Sequence, residues 1–113
     1  MQVVRNLGIV LLGLGLVLSA ATSASAAAFN RTHPRRAEVN HRLAVQNARI
    51  RHGVKKGTIT PQEATQLHAE DRSVRAEERT DAAQHDGHIT KAEQRDLNQD
   101  ENAVSRDIYN AAH

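Results

Sequence analysis

The chain has 113 residues, with 15 Lys and Arg against 13 Asp and Glu, seven His, no Cys, no Trp, and a single Phe and a single Tyr. This composition excludes a disulfide framework and a cysteine nucleophile, and it leaves no aromatic interleaving on which nucleic-acid bases could stack. There is room for one small domain, whose core buries only about 60–65% of the surface its unfolded chain exposes, so stability must be modest or drawn from a partner, a metal or self-association.

The first residues read as an export signal. Met1 to Asn6 holds one positive charge, Arg5, and an apolar run follows from Leu7 to Leu18. Small residues then continue to Ala28 and include Ala24-Ser25-Ala26. That order predicts a secretory signal peptide over residues 1–26, cut after Ala26, with Ala28 as the alternative point and an uncleaved anchor as the competing reading. The apolar run is shorter than the roughly 20 residues that span a bilayer, so no mature transmembrane segment is expected. Without cysteine there is no lipid-modified anchor. The expected location is exported, in the periplasm or outside the cell.

Charge divides what remains. From Ala27 to Thr60 there are eight bases and one acid, Glu38, a net of +7; from Pro61 to His113 there are six bases and twelve acids, a net of −6. Either the basic front part packs antiparallel against acidic later helices, or it serves as an arm for an anionic envelope surface.

Residues 27–36 are expected to be a flexible mature N-terminus, with a first helix beginning near Arg36 or Ala37. Val39, Leu43, Gln46, Ile50 and Val54 share one helical stripe, Glu38 and Arg42 are placed to pair at i,i+4, and Gly57 should end the helix in the left-handed conformation. Thr60, Pro61 and Glu63 then form the strongest local signal in the chain: a cap, a proline at the first helical position and a capping-box glutamate. A second helix should run from Pro61 to about Gln84 with Ala64, Leu67, Asp71, Val74, Glu78 and Ala82 on its inner stripe. The two acids there either face bases of the first helix or mark the stripe as solvated. After Asp86-Gly87, Thr90 and Glu93 form a second capping box. A third helix should cover Lys91 to about Asn110, with Leu97, Glu101, Val104 and Ile108 on one face and Tyr109 beside it. The reading is all-α: about three helices joined by two glycine turns, in units of about 37–67 and 68–110, with residues 111–113 frayed.

The turns repeat. Gly57-Thr58-Ile59-Thr60-Pro61-Gln62-Glu63 and Gly87-His88-Ile89-Thr90-Lys91-Ala92-Glu93 both read G-x-I-T-x-x-E. The second resembles the EF-hand calcium loop, with Asp86, Gly87, Ile89, Thr90 and Glu93 at its fifth, sixth, eighth, ninth and twelfth positions. The front half departs from that pattern: Ala82 and Gln84 stand at positions one and three, and Asp81 lies one residue too early. In the first copy His52, Val54 and Lys56 replace the front ligands, so no calcium site can be built there. The part that survives in both copies also has a purely structural use, as a turn followed by a cap. The pair of turns is similar to those of small exported bacterial proteins with two such half-degenerate loops, a likeness that implies a helical fold and export and carries no reaction.

The resemblance implies weak calcium binding through Asp86, Thr90 and Glu93. Independently, Asp81, His85 and His88 would share a face if the helix persisted past Gly87, a set suited to zinc, copper or nickel. The candidate metal residues are therefore Asp81, His85, Asp86, His88, Thr90 and Glu93. Ser73 and Ser105 lie in no nucleophile-elbow setting, no phosphate-binding glycine loop is present, and three thin helices form no cleft for a carboxylate pair. A non-enzymatic binding or structural module of the cell envelope is expected, with a protein or an anionic surface as partner, no nucleic acid, and room for pairing with a second copy.

Overall fold

The computed structural model describes residues 24–113, and every regular element in that range is helical. Residues 24–32 are helical, where a flexible segment was expected over 27–36. Ala24, Ala26, Ala27 and Ala28 supply the propensity. Thr32 Oγ1 donates back to the carbonyl oxygens of Ala28 and Phe29, both at 3.2 Å. The expected leader falls mostly on residues 1–23, which lie outside the described residues.

Residues His33 to His113 form the second compact unit, a three-helix bundle. Its helices are α1 (Pro34–Lys56), α2 (Pro61–Ala83) and α3 (Lys91–Ala112). Helix α1 starts at Pro34, ahead of the expected Arg36 or Ala37. Proline has its φ preset for the first helical position and lacks the N–H that would go unbonded there. No helix among the described residues is long and apolar enough to cross a membrane.

The direction of each helix follows from its cross-contacts. Arg36 meets Glu78 and Asn47 meets His68, so α1 and α2 are antiparallel. Glu38 meets Gln94 and Arg49 meets Ser105, so α1 and α3 are parallel. The apolar core is built by Val39, Leu43 and Ile50 of α1, by Ala64, Leu67, Val74 and Ala82 of α2, by Leu97, Val104 and Ile108 of α3, and by the turn residues Ile59 and Ile89. On α2 and α3 the buried stripes are those read from the spacing.

On α1 the last stripe position differs. Val54 is 38% exposed, and Gly53 is buried instead. The cause is Ile59, which folds back onto Gly53 so closely that a Cβ there would stand 2.6 Å from Ile59 Cγ1. Only glycine lets the turn close over the helix at this point. Gly57 follows with φ 83°, and the N–H groups of Gly57 and Thr58 donate to the carbonyls of Val54 and Gly53 at 3.1 and 2.9 Å. These two bonds form a Schellman motif.

The second turn has a different backbone. Asp86 and Gly87 both lie at positive φ, 55° and 90°, and His88 N–H donates to His85 C=O at 3.1 Å. That is a type I′ turn, which the Asp-Gly pair favours. Beyond the glycines the two turns coincide. In each, the threonine N–H donates to glutamate Oε1 at 2.8 Å and the glutamate N–H donates to threonine Oγ1 at 3.1 Å.

The expected Glu38–Arg42 pair within α1 does not form. Glu38 accepts instead from Gln94 Nε2 at 3.0 Å, and Arg42 turns to Glu101, 3.6 Å away, and to the Asn102 side chain. A partner on a packed neighbouring helix displaces the surface i,i+4 pair, which is worth only about 0.2–0.5 kcal/mol.

Candidate functional site

At the second turn, the six residues singled out from the sequence divide. His85 Nε2 lies 3.4 Å from Glu93 Oε2. Asp81 is close enough that burial, then the charges of Glu93 and Asp96, push its carboxyl above the ordinary range. His88 turns away and stacks on His33, with ring centroids 4.5 Å apart. Thr90 Oγ1 and Glu93 Oε1 are both engaged in the capping box. Its hydrogen bonds hold the Glu93 carboxyl below the usual range, the Thr90 backbone N–H first among them. Asp86 is exposed at the tip of the turn. Among the described residues no group of three or more His, Asp or Glu is placed to hold a metal ion.

Three carboxylates lie inside the bundle, and each is treated differently. Glu78, 1% exposed, is held by Arg36: Nε donates to Oε2 at 2.6 Å and Nη2 approaches Oε1 at 3.4 Å. Arg36 Nη1 also donates to the Gly87 carbonyl at 3.1 Å, so one side chain joins the start of α1, the end of α2 and the second turn. Glu101 is fully buried and has no hydrogen-bond partner on either oxygen. Burial pushes its pKa up to about 8 against the pull of Arg42. Asp71, 3% exposed, also has neither oxygen bonded, and burial raises it to about 6 against the pull of Arg75. Gln46 Nε2 donates to the Glu101 carbonyl at 2.8 Å, and its own Oε1 is buried without a partner. Gln46, Asp71 and Glu101 thus make a polar waist in an otherwise apolar core.

The edges of the bundle differ in charge. Along α1/α3 the arginines are spent on α3, with Arg42 as above and Arg49 donating to Ser105 Oγ at 2.7 Å and to the Ser105 carbonyl at 3.3 Å. Along α2/α3 acids meet acids. Burial, followed by a hydrogen-bonding contact with Asp107, raises Glu70 to about 7, and Glu77 is raised by burial and by Asp100 in the same way. A groove of about 410 Å³ at this edge is lined by Glu63, Glu70 and Asp107. Along α1/α2 a groove of about 280 Å³ carries Arg51, Arg72 and Arg75. Sequence reasoning missed this last cluster. Its only sequence signal is that His68, Asp71, Arg72 and Arg75 recur at i, i+3, i+4 and i+7, one face of a helix.

Comparison of the chain with protein-family models, with curated proteins and with solved structures finds no match in any of the three.

Proposed function

We propose that this is a small exported helical protein without enzymatic activity, a binding or structural module of the cell envelope that works through its charged edges. The observation that carries this reading is the uneven use of charge. Arg36 and Arg42 form the only Lys/Arg–carboxylate ion pairs among the described residues, while acids gather on the α2/α3 edge and arginines on the α1/α2 edge. Opposite charges available in the same helices are kept apart, which suits partners outside the bundle better than the stability of the fold. Export is supported by the order of residues 1–28.

Fractionating the producing cell and washing its envelope with rising salt tests this. The processed chain should sit with the envelope at low salt and leave it at high salt, because exposed charge is screened. An unprocessed chain confined to the cytoplasm would overturn the reading.

Weak divalent-metal binding at the second turn is the alternative, favoured by the proximity of His85, Glu93 and Asp81. Calcium, zinc or copper should then raise the melting temperature, since a ligand bound only to the folded state stabilises it. Asp81→Ala with Glu93→Gln should abolish the rise; a rise that persists would remove these ligands from consideration.

A further inference from the structure

We propose that the α1/α2 groove is an anion site that takes a phosphate-type group between Arg51, Arg72 and Arg75. This rests on the binding-module reading above and names one site and one ligand chemistry for it.

The argument begins with what the arginines of α1 do. Arg36, Arg42 and Arg49 all reach across to acceptors on neighbouring elements. Arg51 does not: it lies on the other side of α1, four residues after Asn47, and the two line the groove together. From α2, His68, Arg72 and Arg75 line the opposite wall. Among the described residues none of the three groove arginines makes an ion pair or a hydrogen bond. Arg75 comes nearest to being compensated, through the charge of Asp71, yet both Asp71 oxygens are buried without a bond.

The uncharged lining fits the same ligand. His68 Nδ1 and Asn47 Oδ1 are 2.9 Å apart. With Oδ1 accepting from the ring N–H, the Asn47 amide nitrogen is turned into a free donor. The groove therefore offers guanidinium forks and an amide donor, while its one carboxylate is withdrawn beneath the surface. A phosphate-type group supplies several acceptor oxygens in the geometry that guanidinium forks match. At about 280 Å³ the groove accommodates such a group with part of its ester, whether it arrives on a soluble phosphate ester or on an anionic lipid head.

The test uses the intact protein and two probes: inorganic phosphate followed by calorimetry, and vesicles of phosphatidylglycerol in phosphatidylcholine followed by flotation. Arg51→Ala/Arg72→Ala removes two exposed groove arginines. Arg79→Ala/Arg106→Ala removes the same charge from exposed positions outside the groove. Circular dichroism confirms that both variants fold, and Arg72→Ala alone serves if the double variant does not. Loss of charge-assisted contacts should weaken binding about tenfold or more in the groove variant. The control should change by less than about twofold, the effect of net charge under screening.

Groove-dependent binding of phosphate supports the site with a soluble ester as ligand. Groove-dependent binding of vesicles alone supports it with a lipid head as ligand. Equal loss in both variants overturns the groove while leaving charge-driven binding to the envelope intact. Failure of the unaltered protein to bind either probe overturns the groove as well, and envelope fractionation then decides the broader reading separately.

Discussion

The two turns of the bundle are written with the same G-x-I-T-x-x-E pattern and share only their second halves. From threonine onward they are superimposable in their bonding, with the same two capping distances in each. Before threonine they diverge. The first closes with one left-handed residue, Gly57, and lays Ile59 directly on Gly53. The second needs two left-handed residues, Asp86 and Gly87, and the position matching Gly53 is the exposed Ala83. A repeated motif therefore fixes how the next helix starts. Both isoleucines reach the core, and how the previous helix stops depends on whether the residue four before the turn glycine leaves room for the isoleucine to lie directly on it.

The largest expected effect treats the turns alike. Ile59 and Ile89 are each 2% exposed, and replacing either by alanine should cost about 2–5 kcal/mol in urea unfolding. A much smaller loss at one of them would show that its turn is not anchored in the core.

The polar waist comes next and should be independent of either turn. Asp71 and Glu101 have raised folded pKa values, about 6 and about 8. The folded state therefore holds protons that the unfolded chain releases, and stability should fall as pH rises from about 4 to about 8 and then level off. Asp71→Leu should raise stability at pH 8 by about 1–3 kcal/mol and flatten the lower part of that profile. Loss of stability on this substitution would mean that Asp71 has a partner in solution.

The turns separate at Gly53. Gly53→Ala should cost about 1–3 kcal/mol, because Ile59 is buried and has nowhere to move. The matching change in the second turn, Ala83→Gly, should cost less than about 1 kcal/mol, the propensity difference alone. The smallest effects should be equal again: Thr60→Ala and Thr90→Ala, each about 1 kcal/mol by thermal melting. Unequal losses there would break the equivalence of the two caps.

Much of this was legible in the chain. The stripes Ala64, Leu67, Asp71, Val74, Glu78, Ala82 and Leu97, Glu101, Val104, Ile108 follow from helical spacing, because no glycine or proline interrupts either helix. The capping boxes are local and chemically specific. With burial or solvation of the two α2 acids left open, the place of Asp71, Glu78 and Glu101 on those stripes was legible. Whether each had a counter-charge was not, since that depends on which arginine of α1 reaches across. Gly53 was hidden because its burial is imposed by Ile59, beyond the end of the helix. The second-turn residues were identified as neighbours in sequence, but His88 is taken by His33, some 55 residues earlier. The arginine groove needed the pairing of α1 with α2 before Arg51 could be placed beside Arg72 and Arg75.

Arg36 ties Glu78 and the Gly87 carbonyl to the first turn of α1, across 42 and 51 residues of chain. No single helix can form those bonds; they join the open ends of the α1–α2 hairpin, the points of the two helices farthest from the turn at Gly57 that connects them. The arginine is thus a latch that closes late in folding, and its removal should accelerate unfolding while leaving the folding rate nearly unchanged.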